Sequence, residues 1–312
     1  MAWQPETTVA VTGASGFVGR EVVNALRAKG ARPIALGRRI ASGFAADVQT
    51  RLFDPNGEPN PEAFAGADAV IHLAGEPVSG RWTPEKKRRI ADSRVAGTGT
   101  LVASLRALER RPSVVVCASA VGYYGNRGNE LLTESSPPGT DFLAGVCIAW
   151  EAAASQCEAL GIRTVRMRTG IALGHGAALA QMKRPFELFA GGPLGSGKQF
   201  VPWIDARDLA SLYCFAIEHA ALRGPVNAVA PESVTNARFS RALGAALHRP
   251  SFLRAPSFAL RIVLGEFAES VLGGQRVVPQ AAGDAGFRWA HPQLEADLVQ
   301  LLDSTRIEAL LS

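Results

Sequence analysis

Short, continuous apolar runs along the chain alternate with stretches in which apolar residues recur every three or four positions. Val9-Ala-Val-Thr runs straight into Gly13, Gly16 and Gly19 and then into Val22, Val23 and Leu26, a strand that empties through glycines into a helix. Further strands are predicted at 32–37, 49–53, 67–73 and 163–167, with one ending near Ser119 and a short one at 225–229. Helices are predicted at 206–218, 237–247, 258–271 and 294–302, with a brief one at 186–189. This order predicts an α/β protein: a doubly wound parallel sheet over residues 1–175, to which 205–230 returns, and a smaller, mainly helical C-terminal cap lobe made of 176–204 and 231–312. Gly191-Gly-Pro-Leu-Gly-Ser-Gly-Lys198 is too glycine-rich for regular structure and reads as a loop in the cap.

The segment Gly13-Ala-Ser15-Gly16-Phe17-Val18-Gly19 carries the first chemical signal. A strand, glycines and a helix start bring backbone N–H groups and the positive end of the helix dipole up to a pyrophosphate. Side chains there would block the tight turn, the approach to phosphate or the packing of helix on strand. About twenty residues further on, where an NAD-binding chain places Asp or Glu for the ribose hydroxyls, stands Gly37-Arg38-Arg39. A guanidinium there suits the extra 2′-phosphate of NADP, a charge-assisted bond worth roughly 1.5–3 kcal/mol, or about ten- to a hundredfold in affinity. NADP is therefore the expected cofactor, and Arg38 its main discriminator.

Composition narrows the partners. The 312 residues are 47% hydrophobic and 20% charged, which excludes a disordered chain, and no apolar run reaches membrane-spanning length. The net charge of +5 suits an anionic ligand; the basic residues are scattered and aromatics amount to 7%, unlike a nucleic-acid footprint. Cys117, Cys147, Cys157 and Cys214 have no metal spacing and read as reduced thiols, so no metal is expected. Met1-Ala-Trp-Gln-Pro-Glu has no leader pattern, and a cytoplasmic location is expected. The sequence leaves the oligomeric state open.

These motifs resemble those of the extended short-chain dehydrogenase/reductases, the Rossmann-type group of NAD(P)-dependent epimerases and dehydratases. Thr12 to Gly19 resembles the phosphate loop, Leu73-Ala74-Gly75 the fourth-strand motif, and Ser119-Ala-Val-Gly-Tyr-Tyr124-Gly125 the segment after strand five. His72-Leu-Ala-Gly-Glu-Pro77, Trp82, Ser93-Arg94, Gly191 to Gln199, Trp203-Ile204 and Leu272-Gly-Gly-Gln-Arg276 resemble an epimerase-like subgroup with its own C-terminal segment, so the likeness spans nearly the whole chain. It implies Ser119 as the residue that orients substrate, Leu73, Ala74 and Gly75 against the cofactor, Arg94 within reach of a cofactor phosphate, and Arg168 and Ala172 where the backbone passes the nicotinamide.

One family feature is missing. The group carries Tyr-x-x-x-Lys on a helix, with glutamate four residues later, the lysine cation lowering the phenol's pKa. Anchored on Ala149-Trp150-Glu151, those positions are Leu143, which cannot exchange a proton, and Cys147, which cannot supply the permanent positive charge. Ser119, Tyr123, Tyr124, Asp141 and Glu76 are the nearby groups able to replace the dyad, and Ser119 with Tyr124 form the preferred pair. Asp141 also reads as a helix cap, His72 as a core residue, and Lys86 to Arg89 as a solvated helix face. Lys198 and Trp203 are expected to face the crevice between the lobes, one holding an anionic group and the other stacking on a ring. The reading is an NADP-binding oxidoreductase or epimerase acting on a small polar substrate, with a nucleotide sugar as a candidate; the alternative is a non-catalytic NADP-binding sensor.

Overall fold

The computed structural model of the protein describes residues 7–40 and 42–311; the leader-free reading of residues 1–6 lies outside them. The elements of the first half are β1 (Thr8–Thr12), α1 (Phe17–Ala28), β2 (Arg32–Gly37), β3 (Gln49–Leu52), β4 (Ala69–His72), α2 (Pro84–Arg106), β5 (Val114–Ala120), β6 (Leu131–Leu132), α3 (Phe142–Ser155) and β7 (Arg163–Thr169). There follow β8 (Ile171–Leu173), α4 (Ala177–Glu187), β9 (Phe200–Val201), β10 (Trp203–Asp205), α5 (Ala206–Glu218), β11 (Gly224–Ala228), β12 (Val234–Thr235) and α6 (Asn236–Leu247). The chain ends in α7 (Ser257–Leu264), α8 (Phe267–Leu272), β13 (Arg276–Val277), α9 (Gln280–Asp284) and α10 (Leu294–Leu311).

Seven strands form a parallel sheet in the order β11-β7-β5-β4-β1-β2-β3. The chain winds outward from β1 in one direction and from β4 in the other, so the carboxyl ends of these two neighbours form the switch point at which such sheets bind ligands. Alternate residues of each strand enter opposite layers. Val9, Val11, Ile71, Val114 and Val116 pack against Val22, Val23 and Leu26 of α1 and Leu209, Leu212 and Tyr213 of α5. Ala10, Val70 and Val115 pack with Leu101, Leu105, Trp150 and Ala154 of α2 and α3. The apolar runs of the sequence are thus strands covered on both faces.

A third cluster joins Leu173, Leu179, Phe186, Trp203, Phe239, Leu243, Leu294 and Leu298, with α10 against α6. Three expectations change here. The helix predicted at 258–271 is two, α7 and α8, because Gly265 takes φ +61° between them. The brief helix at 186–189 belongs to α4, which ends at Glu187, and Phe189 turns out of it with φ +59°. Residues 280–289, read as cap, lie on the main sheet: Ala282 and Phe287 join the core of β1 and β11, and the Trp289 indole donates to the Val229 carbonyl at 3.0 Å.

Candidate cofactor and active site

At the carboxyl end of β1 the backbone closes tightly. Gly13 has φ +67°, and a Cβ there would lie 3.0 Å from the backbone of Leu73 and Ala74. A Cβ on Gly19 would lie 2.2 Å from the Gly13 carbonyl oxygen and 2.7 Å from Ala14, so α1 packs on β1 at a distance only glycine permits. Gly16 caps α1 with no side-chain hydrogen bond, and the first turn holds no acidic residue. An uncapped helix start beside exposed Ser15 and Gly16 is a backbone anion site of the kind that takes a pyrophosphate. Phe17 and Val18 are half-buried; the Phe17 ring fills the space over Gly174 and Gly176, joining the phosphate loop to the start of α4.

His72 holds β4 to β1. The Thr12 hydroxyl accepts from the N–H groups of Leu73 (3.1 Å) and Ala74 (3.3 Å) and pairs with His72 Nδ1 at 2.8 Å. Burial pushes the imidazole down to about 4, so it is neutral and structural. Arg38 and Arg39 follow Gly37 at the end of β2, both exposed and without a hydrogen-bond or ion-pair partner among the described residues. Arg20 ties the loop beyond them to the phosphate loop by donating to the carbonyls of Gly43 (3.1 Å) and Ser15 (3.3 Å).

Behind the ends of β5 and β7 lies a buried polar network. Ser119 Oγ donates to Glu151 Oε1 at 2.7 Å, and Glu151 takes a bidentate pair from Arg168 at 2.8 and 2.9 Å. Arg168 Nη1 also donates to Tyr124 Oη (3.0 Å) and to the Glu134 carbonyl (3.2 Å), while Tyr124 donates to Asn227 Oδ1 at 2.6 Å. Arg168 is 3% exposed and its guanidinium is committed to Glu151, so its side chain is a buried counter-ion. One expectation is corrected here. Tyr124 is fully buried and its hydroxyl is occupied both as donor and as acceptor, so the expectation that it meets a substrate is not met; burial also pushes its pKa up to about 12.

Tyr123 is half-buried, its ring lies 3.4 Å from the Arg168 guanidinium carbon, and its hydroxyl has no hydrogen bond among the described residues. Leu143 and Cys147 face Gly122, whose Cβ position is 3.3 Å from Leu143 Cβ and 3.8 Å from Cys147 Sγ. Burial pushes the Cys147 thiol up to about 12. Asp141 caps α3 by accepting from the Ala144 N–H at 2.9 Å. Arg94 Nη1 donates to the carbonyls of Glu76 (2.9 Å) and Ile90 (3.2 Å), and the guanidinium lies 5.1 Å from the Trp150 ring centre. The basic run beside it is less solvated than expected: Lys86 pairs with Glu76 and Lys87 with Glu266, both at 2.7 Å.

On the cap side, Lys198 is exposed and Ala172 half-buried on β8. Trp203 is 1% exposed inside the cap core, so the expected stacking on a substrate ring is corrected: its bulk holds β10 in place. The C-terminal motif acts as a clasp. Gly274 N donates to Asn126 Oδ1 (3.1 Å), Arg127 N donates to the Gly274 carbonyl (3.0 Å), and a Cβ on Gly274 would lie 3.0 Å from Phe200 N. Asn126 and Arg127, missed in the sequence, line a cavity of about 320 Å³ with Pro138, Gly139, Thr140 and Asp141.

A sequence profile of the NAD dependent epimerase/dehydratase family matches residues 9–229. The chain belongs to that family. A second profile, of a domain of unknown function (DUF1731), matches residues 255–301. Within the epimerase/dehydratase family the chain is similar to the chloroplastic SDR39U1 homolog of Arabidopsis thaliana, 40% identical over 294 residues covering 92% of this chain and 84% of that protein. The crystal structure of human epimerase family protein SDR39U1 (isoform 2) with NADPH superimposes with a TM-score of 0.83 at 32% identity, over 95% of this chain and 99% of that one. A nucleoside-diphosphate sugar epimerase from Corynebacterium glutamicum gives 0.77 at 32% identity, over 97% of this chain and 62% of that one. None of the described helices is long and apolar enough to cross a membrane, and no described His, Cys, Asp and Glu group has the arrangement of a metal site.

Proposed function

We propose that this chain is a cytoplasmic, NADP-dependent oxidoreductase or epimerase acting on a small polar substrate, with a nucleotide sugar as the preferred class. The observation that carries the reading is the uncapped start of α1 in its glycine cradle, with Arg38 and Arg39 free at the end of β2. The cradle would hold the pyrophosphate, with Ser15, Phe17 and Val18 of the helix start and Leu73, Ala74 and Gly75 beside it, and Arg38 with Arg39 the 2′-phosphate. The NADPH-bound human relative and the nucleoside-diphosphate sugar epimerase support the cofactor and the substrate class.

The nicotinamide supplies the hydride chemistry when bound; the residues of this chain handle binding and the proton. Ser119 keeps its lone pairs for a substrate hydroxyl or carbonyl while donating to Glu151. Tyr123 is the phenol available for proton exchange, above the Arg168 cation. Lys198, exposed on the cap loop, would hold an anionic group of the substrate, with Ala172 close to the nicotinamide. The sensor reading keeps one observation in its favour: Leu143 and the buried Cys147 leave no dyad on α3.

Mass spectrometry of nucleotides released from freshly purified protein, with NADPH and NADH titrations, tests the cofactor. Arg38→Ser should weaken NADPH by about ten- to a hundredfold and leave NADH unchanged. Equal affinity of the wild type for the two would refute the assignment. Turnover of any co-purified compound, lost in Tyr123→Phe, would decide for the enzyme over the sensor.

A further inference from the structure

The two halves of the dinucleotide site can be assigned from the fold. Arg38 and Arg39 mark the 2′-phosphate side over β2, and the glycine cradle marks the pyrophosphate over β1, so the nicotinamide half falls beyond β1, over β4 and β5. Gly13 abuts Leu73 and Ala74; the next residue, Gly75, abuts Arg94, a Cβ there lying 3.5 Å from the guanidinium carbon. Arg94 reaches this point from α2 and comes within electrostatic reach of Cys147 on α3, the position where a lysine would stand in the dyad.

The guanidinium is held but not neutralised. Its hydrogen bonds go to two backbone carbonyls, and the carboxylate whose charge reaches it, Glu76, is bound by Lys86 at 2.7 Å with Arg89 at 3.6 Å. Nε and Nη2 have no hydrogen-bond partner among the described residues and are not sealed from solvent. Trp150 backs the group from the other side.

We propose that Arg94 is a positioning residue that supplies the fixed positive charge beside the nicotinamide, the role left vacant at Cys147. The inference rests on the NADP reading above. A fixed cation there disfavours the positively charged oxidised ring relative to the neutral reduced one, and so favours NADPH over NADP⁺. A cation bound to the pyrophosphate would favour both forms alike.

The test is calorimetric titration of wild type, Arg94→Gln and Arg94→Lys with NADPH and with NADP⁺, each variant first shown to be folded by circular dichroism. The expected result is a wild-type preference for NADPH that falls about tenfold in Arg94→Gln and is largely kept in Arg94→Lys. A tenfold fall corresponds to a potential of the bound couple about 30 mV lower. An equal loss for both nucleotides would make Arg94 a phosphate ligand, and unchanged affinities would make it a helix brace; either overturns the proposal while leaving the cofactor reading intact. Failure of the wild type to bind either nucleotide would overturn both.

Discussion

Replacing Glu151 with glutamine removes one charge from the interior at nearly constant volume. Arg168 is 3% and Glu151 7% exposed, and three hydrogen bonds of 2.7–2.9 Å converge on the carboxylate from Ser119 and Arg168. Glutamine retains one carbonyl acceptor and presents an N–H₂ where the guanidinium and the serine also donate, so at least one pairing becomes donor against donor. Breaking a buried ion pair from one side costs about 3–5 kcal/mol, because the remaining charge stays desolvated. Against a total stability of about 5–15 kcal/mol this is a large fraction. With an m-value of about 3 kcal/mol/M, the urea midpoint should fall by roughly 1 M or more. Unfolding followed by tryptophan fluorescence reports it directly, since Trp150 precedes Glu151 in the chain. The double variant Glu151→Gln with Arg168→Met removes both charges and should lose less than the two single losses added together. A midpoint for Glu151→Gln within about 0.3 M of wild type, or strict additivity in the double variant, would refute the claim that this pair organises the site.

Asp297 contributes a pH dependence with a definite sign. Burial, then the hydrogen bond and charge of Asp205, push Asp297 up to about 8. A raised folded pKa stabilises at low pH and loses that contribution as pH rises through about 8, so the urea midpoint should fall between pH 6 and 8 and Asp297→Asn should flatten the slope. Gly19→Ala drives a methyl group to 2.2 Å from the Gly13 carbonyl oxygen, and α1 must lift from β1; NADPH titration should show at least a tenfold loss of affinity, and an unchanged affinity would contradict the cradle geometry. All four cysteines are buried, with Cys147, Cys157 and Cys214 thiols pushed up to about 12 by burial, so iodoacetamide at pH 8 should label none in the native protein and four in urea, as counted by mass spectrometry.

Much of the glycine turn was legible because its requirements are local. The turn at Gly13, the closeness of Gly19 and the free arginines after β2 follow from residues within one strand–helix unit and the next strand. The buried polar network behind β5 and β7 was not, because its partners come from distant parts of the chain. Tyr123 and Tyr124 are neighbours with nearly identical sequence surroundings, yet Tyr124 turns into the core toward Asn227, 103 positions away, while Tyr123 stays half-buried. Half a signal was nonetheless available for the ion pair: Glu151 is a lone charge in an otherwise apolar helical stretch and a buried charge calls for a partner, but β7 carries Arg163, Arg166 and Arg168 and does not say which of them supplies it. Trp203 misled for a related reason. Position beside a glycine-rich loop suggested the crevice, whereas a large ring at the junction of two small sheets is needed to fill the cap core.

The C-terminal segment is more than an appendage to the dinucleotide domain. The Glu134 carboxylate accepts from Asn227 N at 3.0 Å and from Ala281 N at 3.1 Å, and the Asn227 amide donates to the Val278 carbonyl at 2.9 Å. Asn227 in turn accepts from Tyr124, which accepts from Arg168, whose carboxylate partner holds Ser119. A continuous line of hydrogen bonds therefore runs from residues 278 and 281 to the serine nearest the proposed chemistry. The bonds from Asn227 to Ser119 are buried and those to Glu134, Val278 and Ala281 half-buried, so a displacement that breaks the inner part of the line leaves an unpaired group at about 1–3 kcal/mol each. The segment that begins with α7 is thus tied through its backbone to the network that holds Ser119, and its Gly273-Gly274 pair keeps that backbone against Asn126 and Phe200.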